Sequence, residues 1–371
     1  MNGQWTKEQA WEWYNALPWI RGCNFMSSDC CNRVDQWQEF GFEERMATTD
    51  RELAAAQELG FNSVRLILEF AVWDQEHDGF MKRLDRYLDC CYSHGITAMI
   101  VFGNDCGVPK SIYTPPVLGQ QSVDMGYHGG RIKTPHKSYG GDDMRYNILD
   151  DLDIRARFYK MVRELVREYG HDPRVLVWNL FNEPGNNRGD ASLPYIKEIF
   201  AICREELPIQ PLCTDVWRGM KDGKALTEVE QCGLDLSDII SYHNYNDYNS
   251  NIREIEEIRK IGRPAFNTEW LNRITKNNVA EMYPLFYLQK IGCYNWGFVA
   301  GKYQTYEPWE SIWQRIEKNP ALISEYDVTK WQHDLLRPNL RPYDPAETQI
   351  IRQYNTMADE RHKAGSDPRT H

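Results

Sequence analysis

One unit recurs along the chain and constrains its fold more than any other feature: an amphipathic helix, a glycine, then a short β-branched run. It appears as AAAQELG-FNSVRLIL (Gly60), LDCCYSHG-ITAMIVF (Gly95), LVREYG-HDPRVLVWNL (Gly170), IEEIRKIG-RPAFNTEW (Gly262) and LFYLQKIG-CYNWGFV (Gly292). A glycine after the last helical turn takes the left-handed conformation that other residues resist, so each is expected to stop a helix and feed a strand. IRGCNFM near Ile20, IQPLCTDV near Leu212 and DIISYHNY near Ile240 complete eight strand candidates. Their apolar runs suit parallel strands buried on both faces. Eight helix–strand alternations with right-handed crossovers predict an α/β fold: one closed (β/α)8 barrel, the TIM barrel.

Residues 20–360 are assigned to the barrel. Residues 1–19 read as an added N-terminal helix with a capping box at Thr6 and Gln9, and 361–371 as a disordered tail. Two connections exceed ordinary loop length: about fifty residues from Gly103 to Asp153 and about forty-five from Ala300 to Pro345. Both follow strands. In a barrel the loops after strands build the active face, so SIYTPPVLGQQSVDMGYHGG and KYQTYEPWESIW are expected to wall a site.

The formal charge of −11 would repel phosphate backbones and anionic lipid, and no Lys/Arg cluster offsets it. Nucleic acid and membrane surfaces are therefore poor partners. No apolar run approaches a membrane span, and the first residues carry neither a basic nor an apolar leader region. The ten cysteines show no C-x-x-C and no zinc spacing, so reduced thiols in a cytoplasm are expected. A leader trimmed from the chain would instead place it in the periplasm or outside the cell. Thirteen Trp and 21 Tyr exceed the needs of an ordinary core. Flat rings with a polar edge suit the C–H faces of sugars.

Two acids stand where barrel enzymes keep their chemistry. The fourth strand, RVLVWNL, runs into Phe181-Asn182-Glu183-Pro184-Gly185, and the seventh, RPAFNTEW, ends at Glu269. Strands four and seven face each other across a barrel, so these carboxyls can flank a bound substrate. Cleaving a glycosidic bond needs such a pair, one acid protonated to donate and one ionised to attack. Neither a metal nor a cofactor is called for.

An Asn-Glu ending strand four with a Glu ending strand seven resembles the clan of retaining (β/α)8 glycoside hydrolases, and is most similar to its cellulase-like family of endoglucanases, mannanases and exo-β-glycosidases. The resemblance runs from about Ile20 to Val299. It implies Glu183 as acid/base, Glu269 as nucleophile and Asn182 on the sugar 2-hydroxyl. It also implies Arg65 beside Glu269, keeping it ionised, Tyr245 donating to Glu269, His243 near Glu183, and Trp296 as the floor of the sugar subsite. After strand three the family often has a histidine, whereas this chain reads Phe102-Gly103-Asn104-Asp105. Trp73, Asp105, Asp215 and Trp217 follow strands two, three and five and are further candidates for sugar contact. The expected function is a retaining, exo-acting β-glycosidase on a carbohydrate substrate. A non-catalytic sugar-binding barrel, an endo-β-glycanase and a transglycosidase stand as alternatives, and sugar, linkage and oligomeric state are left open.

Overall fold

The computed structural model describes residues 3–126, 128–131, 144–220 and 225–365. Tyr127, residues 132–143 of the first long connection and 366–371 lie outside the described residues, and of the tail expected over 361–371, residues 361–363 are helical instead. Nine parallel strand segments make one sheet: β1 Arg21–Asn24, β2 Ser63–Ile67, β3 Thr97–Asn104, β4 Val175–Asn182, β5 Leu212–Cys213, β6 Asp215–Val216, β7 Ile240–His243, β8 Ala265–Trp270 and β9 Ile291–Asn295. Neighbours run β5-β4-β3-β2-β1-β9-β8-β7-β6. The two ends of that order, β5 and β6, are separated only by Thr214, so they are one interrupted barrel strand and the sheet closes through it. Eight barrel strands result, forming a (β/α)8 TIM barrel.

Among the described residues twelve α-helices surround and cap this barrel: α1 Lys7–Ala16, α2 Arg33–Trp37, α3 Phe42–Glu58, α4 Phe70–Gln75, α5 His77–Ser93, α6 Leu152–Tyr169, α7 Leu193–Glu205, α8 Glu228–Leu236, α9 Tyr248–Ile261, α10 Val279–Leu288, α11 Glu310–Lys318 and α12 Pro345–Lys363. Gly60, Gly95 and Gly262 hold positive φ after α3, α5 and α9. Two of the predicted glycine stops behave otherwise. Gly170 keeps right-handed geometry at the end of α6. Gly292 lies inside β9, and the left-handed residue after α10 is Lys290 at φ 60°. Gly292 is required there by space, since a Cβ would stand 2.2 Å from the Phe266 ring.

The barrel interior divides into an apolar lower layer and a polar upper one. Ile20, Met99, Val177, Phe266 and Tyr294 pack together below, and α1 plugs that end with Ala10 and Tyr14. Thr6 caps α1 reciprocally with Gln9, each side chain accepting from the other's backbone N–H. The outer faces of the strands and the inner faces of the helices form the larger apolar core. The second long connection is not all loop: it contains α11 and a 3-10 turn over Pro320–Ser324. Among the described residues no helix is long and apolar enough to cross a membrane. All ten cysteines are free thiols.

Candidate active site

The upper layer is organised by Arg65, fully buried in the middle of β2. Its guanidinium donates to Asn24 Oδ1 (2.8 Å), Glu269 Oε1 (2.9 Å), Asn179 Oδ1 (3.2 Å), Asn182 Oδ1 (2.6 Å) and Asp215 Oδ2 (2.8 Å). Residues from β1, β2, β4, β6 and β8 thus meet on one cation. Burial alone would make this charge costly, but Asp215 and Glu269 outweigh it and hold the Arg65 pKa above its usual value. Asp215 is completely buried and also accepts from Asn179 (2.7 Å) and Ser241 (2.5 Å).

Above this layer stand the two acids. Glu183 leaves the end of β4 with φ 45°, a left-handed conformation uncommon for a residue with a side chain, and Gly185 follows at φ 79°. The reversal turns the chain away at the barrel mouth while its carboxyl stays in the cleft. Glu183 Oε1 meets His243 Nδ1 at 2.8 Å, and Oε2 accepts from Asn186 Nδ2 (2.5 Å) and the Cys106 thiol (2.8 Å). Glu269, near the end of β8, accepts from Tyr245 Oη at 2.8 Å as well as from Arg65. His243 Nδ1 lies 3.4 Å from Glu269 Oε2, and its Nε2 lies 3.4 Å from Asp215. The β7–β8 register places His243 directly across from Glu269.

One donor atom from each of Glu183, His243 and Glu269 lies within 4.8 Å of the other two, so a carboxylate oxygen of each acid faces the other at the barrel mouth. A second grouping of metal-type donors, Asp50, Cys90 and His94, lies on α3 and α5, outside the barrel.

The charges do not sit as the sequence reading expects. Burial works against a charged His243, yet Glu269 and Asp215 push its pKa up to about 10, so the ring is an imidazolium at neutral pH. Burial raises Glu183, but His243, Cys106 and Asn186 together draw it below the ordinary carboxylate value. Burial raises Glu269 too, and there the pull of His243 and Arg65 falls short, partly because Glu183 repels its charge. His243 Nδ1 is nearer Glu183 than Glu269, 2.8 against 3.4 Å, and the surrounding carboxylates favour its charged form.

A cleft of about 490 Å³ opens over these groups. Trp296 lies along it, with the His128 ring 5.4 Å away. The first long connection contributes Cys106, Gly126, His128 and Arg145; the second contributes Trp309, Ser311 and Arg315. Trp217 also lines the cleft and donates its indole N–H to Pro184 O at 3.0 Å. The other three further candidates are placed elsewhere. Trp73 is buried on α4, where its indole donates to Glu164 at 3.1 Å. Asp105 is fully buried, accepts from Gly185 N (2.7 Å) and Asn147 Nδ2 (2.7 Å), and pairs with Arg188 at 3.3 Å, so it fastens the turn after Glu183. Asp215 lies beneath the site against Arg65, out of reach of a ligand.

The match to known families agrees with this geometry. Residues 24–357 fit the family model for cellulase, glycosyl hydrolase family 5. The chain belongs to glycosyl hydrolase family 5. It is an O-glycosyl hydrolase of the retaining clan. No curated protein matches this family 5 chain in sequence. Its barrel is similar to an exo-β-1,4-mannosidase from an Opitutaceae bacterium, with 15% identity and TM-score 0.57, covering 93% of this chain and 60% of that one. It is also similar to a family 5 mannosidase from Rhizomucor miehei in complex with mannosyl-fructose (12%, TM-score 0.57, 95% and 96% covered). A third likeness is to an endo-β-1,4-mannanase from Thermotoga petrophila (15%, TM-score 0.53, 95% and 78% covered). At such identities the likeness concerns the fold. The family 5 chain spans 60% of the length of the Opitutaceae enzyme.

Several site residues escape a reading of the sequence. Asn24, Asn179, Ser241 and Asn186 are single polar residues with no motif of their own; the barrel brings the first three to Arg65 and Asp215, and the turn after β4 folds Asn186 back onto Glu183. Asn182 is more engaged than the resemblance implies. Besides accepting from Arg65, it donates to Asn104 Oδ1 at 2.9 Å, so its side chain is set by β2 and β3 together.

Proposed function

We propose that the protein is a retaining, exo-acting β-glycosidase whose nucleophile is Glu269 and whose acid/base is Glu183, acting on β-mannosides. One observation carries the reading: the carboxyls of Glu183 and Glu269, just past β4 and near the end of β8, bring one oxygen each within 4.8 Å and are bridged by one imidazole. Two negative charges that close repel each other unless a proton is shared between them. That proton is the one a leaving glycosyl oxygen needs.

The first step is attack of Glu269 on the anomeric carbon, with the oxygen held by Tyr245 and the other held by Arg65 available to develop and relocate charge. As substrate displaces water, separated charge becomes costlier, and the proton passes from His243 Nδ1 to Glu183 Oε1 along their 2.8 Å contact. Glu183 then donates it to the departing oxygen. In the second step Glu183 takes a proton from water, which attacks the covalent sugar and restores Glu269. The configuration at the anomeric carbon is retained. Asn182 is assigned to the 2-hydroxyl and Trp296 to the sugar face.

Exo action is supported by the walls. Residues of both long connections line the cleft, and the two connections meet there, Gly130 N donating to Pro308 O at 3.0 Å, which suits a pocket for a chain end. Mannose is supported by the mannosidases and mannanases among the similar barrels.

The test is release of aryl alcohol from aryl β-glucoside, galactoside, mannoside, xyloside and fucoside, with Glu183→Gln and Glu269→Gln beside the wild type. Release from the mannoside, with the β-anomer of free mannose appearing first by NMR, is expected, and both variants should lose at least about 10³-fold. Wild-type-like turnover in either variant would refute the assignment. Activity on long mannan with none on aryl mannoside would replace exo by endo action.

A further inference from the structure

Glu183 is gripped by a residue for which the mechanism above has no use. Cys106 follows β3, lines the cleft, and points its thiol at Glu183 Oε2 from 2.8 Å. The sulfur is itself set in place. Cys106 N donates to Asn104 Oδ1 (2.9 Å), and the amides of Asn182 and Asn186 each reach Sγ at 3.4 Å. With two N–H groups directed at the sulfur, its own proton is left for the carboxylate. Burial and the neighbouring Glu183 push the thiol well above its usual pKa, so it stays protonated and donating. Asn186, the other donor to Oε2, is in turn held by Arg145 through a 2.7 Å bond to its Oδ1. Both supports come from the long connection after β3.

We propose that Cys106 is a positioning residue for the proton donor: its thiol, with Asn186, fixes the Oε2 side of Glu183 so that the carboxyl is aimed at the leaving oxygen. The inference rests on Glu183 being the acid/base. One consequence separates it from a packing role. Loss of the thiol impairs substrates in proportion to their need for protonation, since a good leaving group departs without an acid and a poor one does not.

The experiment compares kcat/KM on 2,4-dinitrophenyl β-mannoside and methyl β-mannoside for the wild type, Cys106→Ala and Cys106→Ser. Alanine is expected to lower the methyl glycoside about tenfold and the dinitrophenyl glycoside less than about twofold, with serine recovering most of the difference as a hydroxyl donor. Equal losses on both substrates, or none on either, overturn the proposal. Should the alanine variant not fold, Cys106→Val, a non-donor of similar size, takes its place with the same expected split between the two substrates and the same refuting outcome. If Glu183→Gln retains wild-type activity, the failure belongs to the acid/base assignment and not to Cys106.

Discussion

Replacing Asp215 by Asn isolates the charge that lies beneath the catalytic pair. The carboxylate is wholly buried, 2.8 Å from Arg65, and accepts from Asn179 and Ser241. An amide of the same shape removes the charge and turns one acceptor into a donor facing the guanidinium. Arg65 then keeps Glu269 as its only buried counter-charge among the described residues. Breaking a buried pair in this way costs about 3–5 kcal/mol. For 371 residues the unfolding entropy is about 0.8 kcal/mol per kelvin, so the melting temperature at pH 7 should fall by about 4–6 °C. The sign follows from the folded-state pKa. Arg65 and His243 overcome burial and hold Asp215 well below the usual carboxylate range. The stability it contributes is therefore present above the unfolded-state pKa and lost as pH falls through the folded one. A second readout comes from His243. Its pKa of about 10 is sustained by Glu269 and Asp215, and removing one anion lowers it. The imidazole resonances of Asp215→Asn should titrate at lower pH than in the wild type. A melting temperature within about 1 °C of wild type, with His243 titrating unchanged, would refute the view that Asp215 holds the charge balance of the site.

Tyr245→Phe deletes the 2.8 Å donor to Glu269 and leaves the ring contacts with Trp309 and His333 in place. A hydrogen bond to a charged group is worth about 1.5–3 kcal/mol, so kcat/KM should fall about 10- to 150-fold with little change in melting temperature; a loss below twofold would show that the bond does not matter to turnover. Away from the site, Glu52 is buried in α3 and accepts from Ser28 N at 3.1 Å, and burial pushes its pKa up to about 7. A carboxyl raised in the folded state favours folding at low pH, and that contribution is lost as pH rises from the unfolded value near 4.5 through about 7. Glu52→Gln should therefore raise the melting temperature at pH 8 relative to wild type and lose that advantage at pH 4.5; an advantage independent of pH would refute the linkage.

Most of the architecture was legible because its causes are local. A helix that ends on glycine and gives way to a β-branched run reads the same in any context, and three of the five glycine stops hold positive φ as expected. The exceptions are instructive. Gly292 serves the packing of Phe266, which its neighbours in the chain do not disclose. Trp73 and Asp105 were chosen for lying just after strands, yet a residue there can point outward as readily as into the mouth. Trp73 sits on α4 against Glu164, and Asp105 fastens the turn after Glu183.

By itself the sequence pointed to the barrel, through helix–strand periodicity, and to the family, through the resemblance carried by its strand-end motifs, with Glu183 and Glu269 as candidate acids. Tertiary structure decided which carboxylates share one imidazole. His243 lies 2.8 Å from Glu183 and 3.4 Å from both Glu269 and Asp215. It also decided that Asp215 is a buried counter-ion and that Cys106 reaches the candidate acid/base. Electrostatic energies depend on distance and burial, and both arise only when residues far apart in the chain are brought together by closure of the barrel.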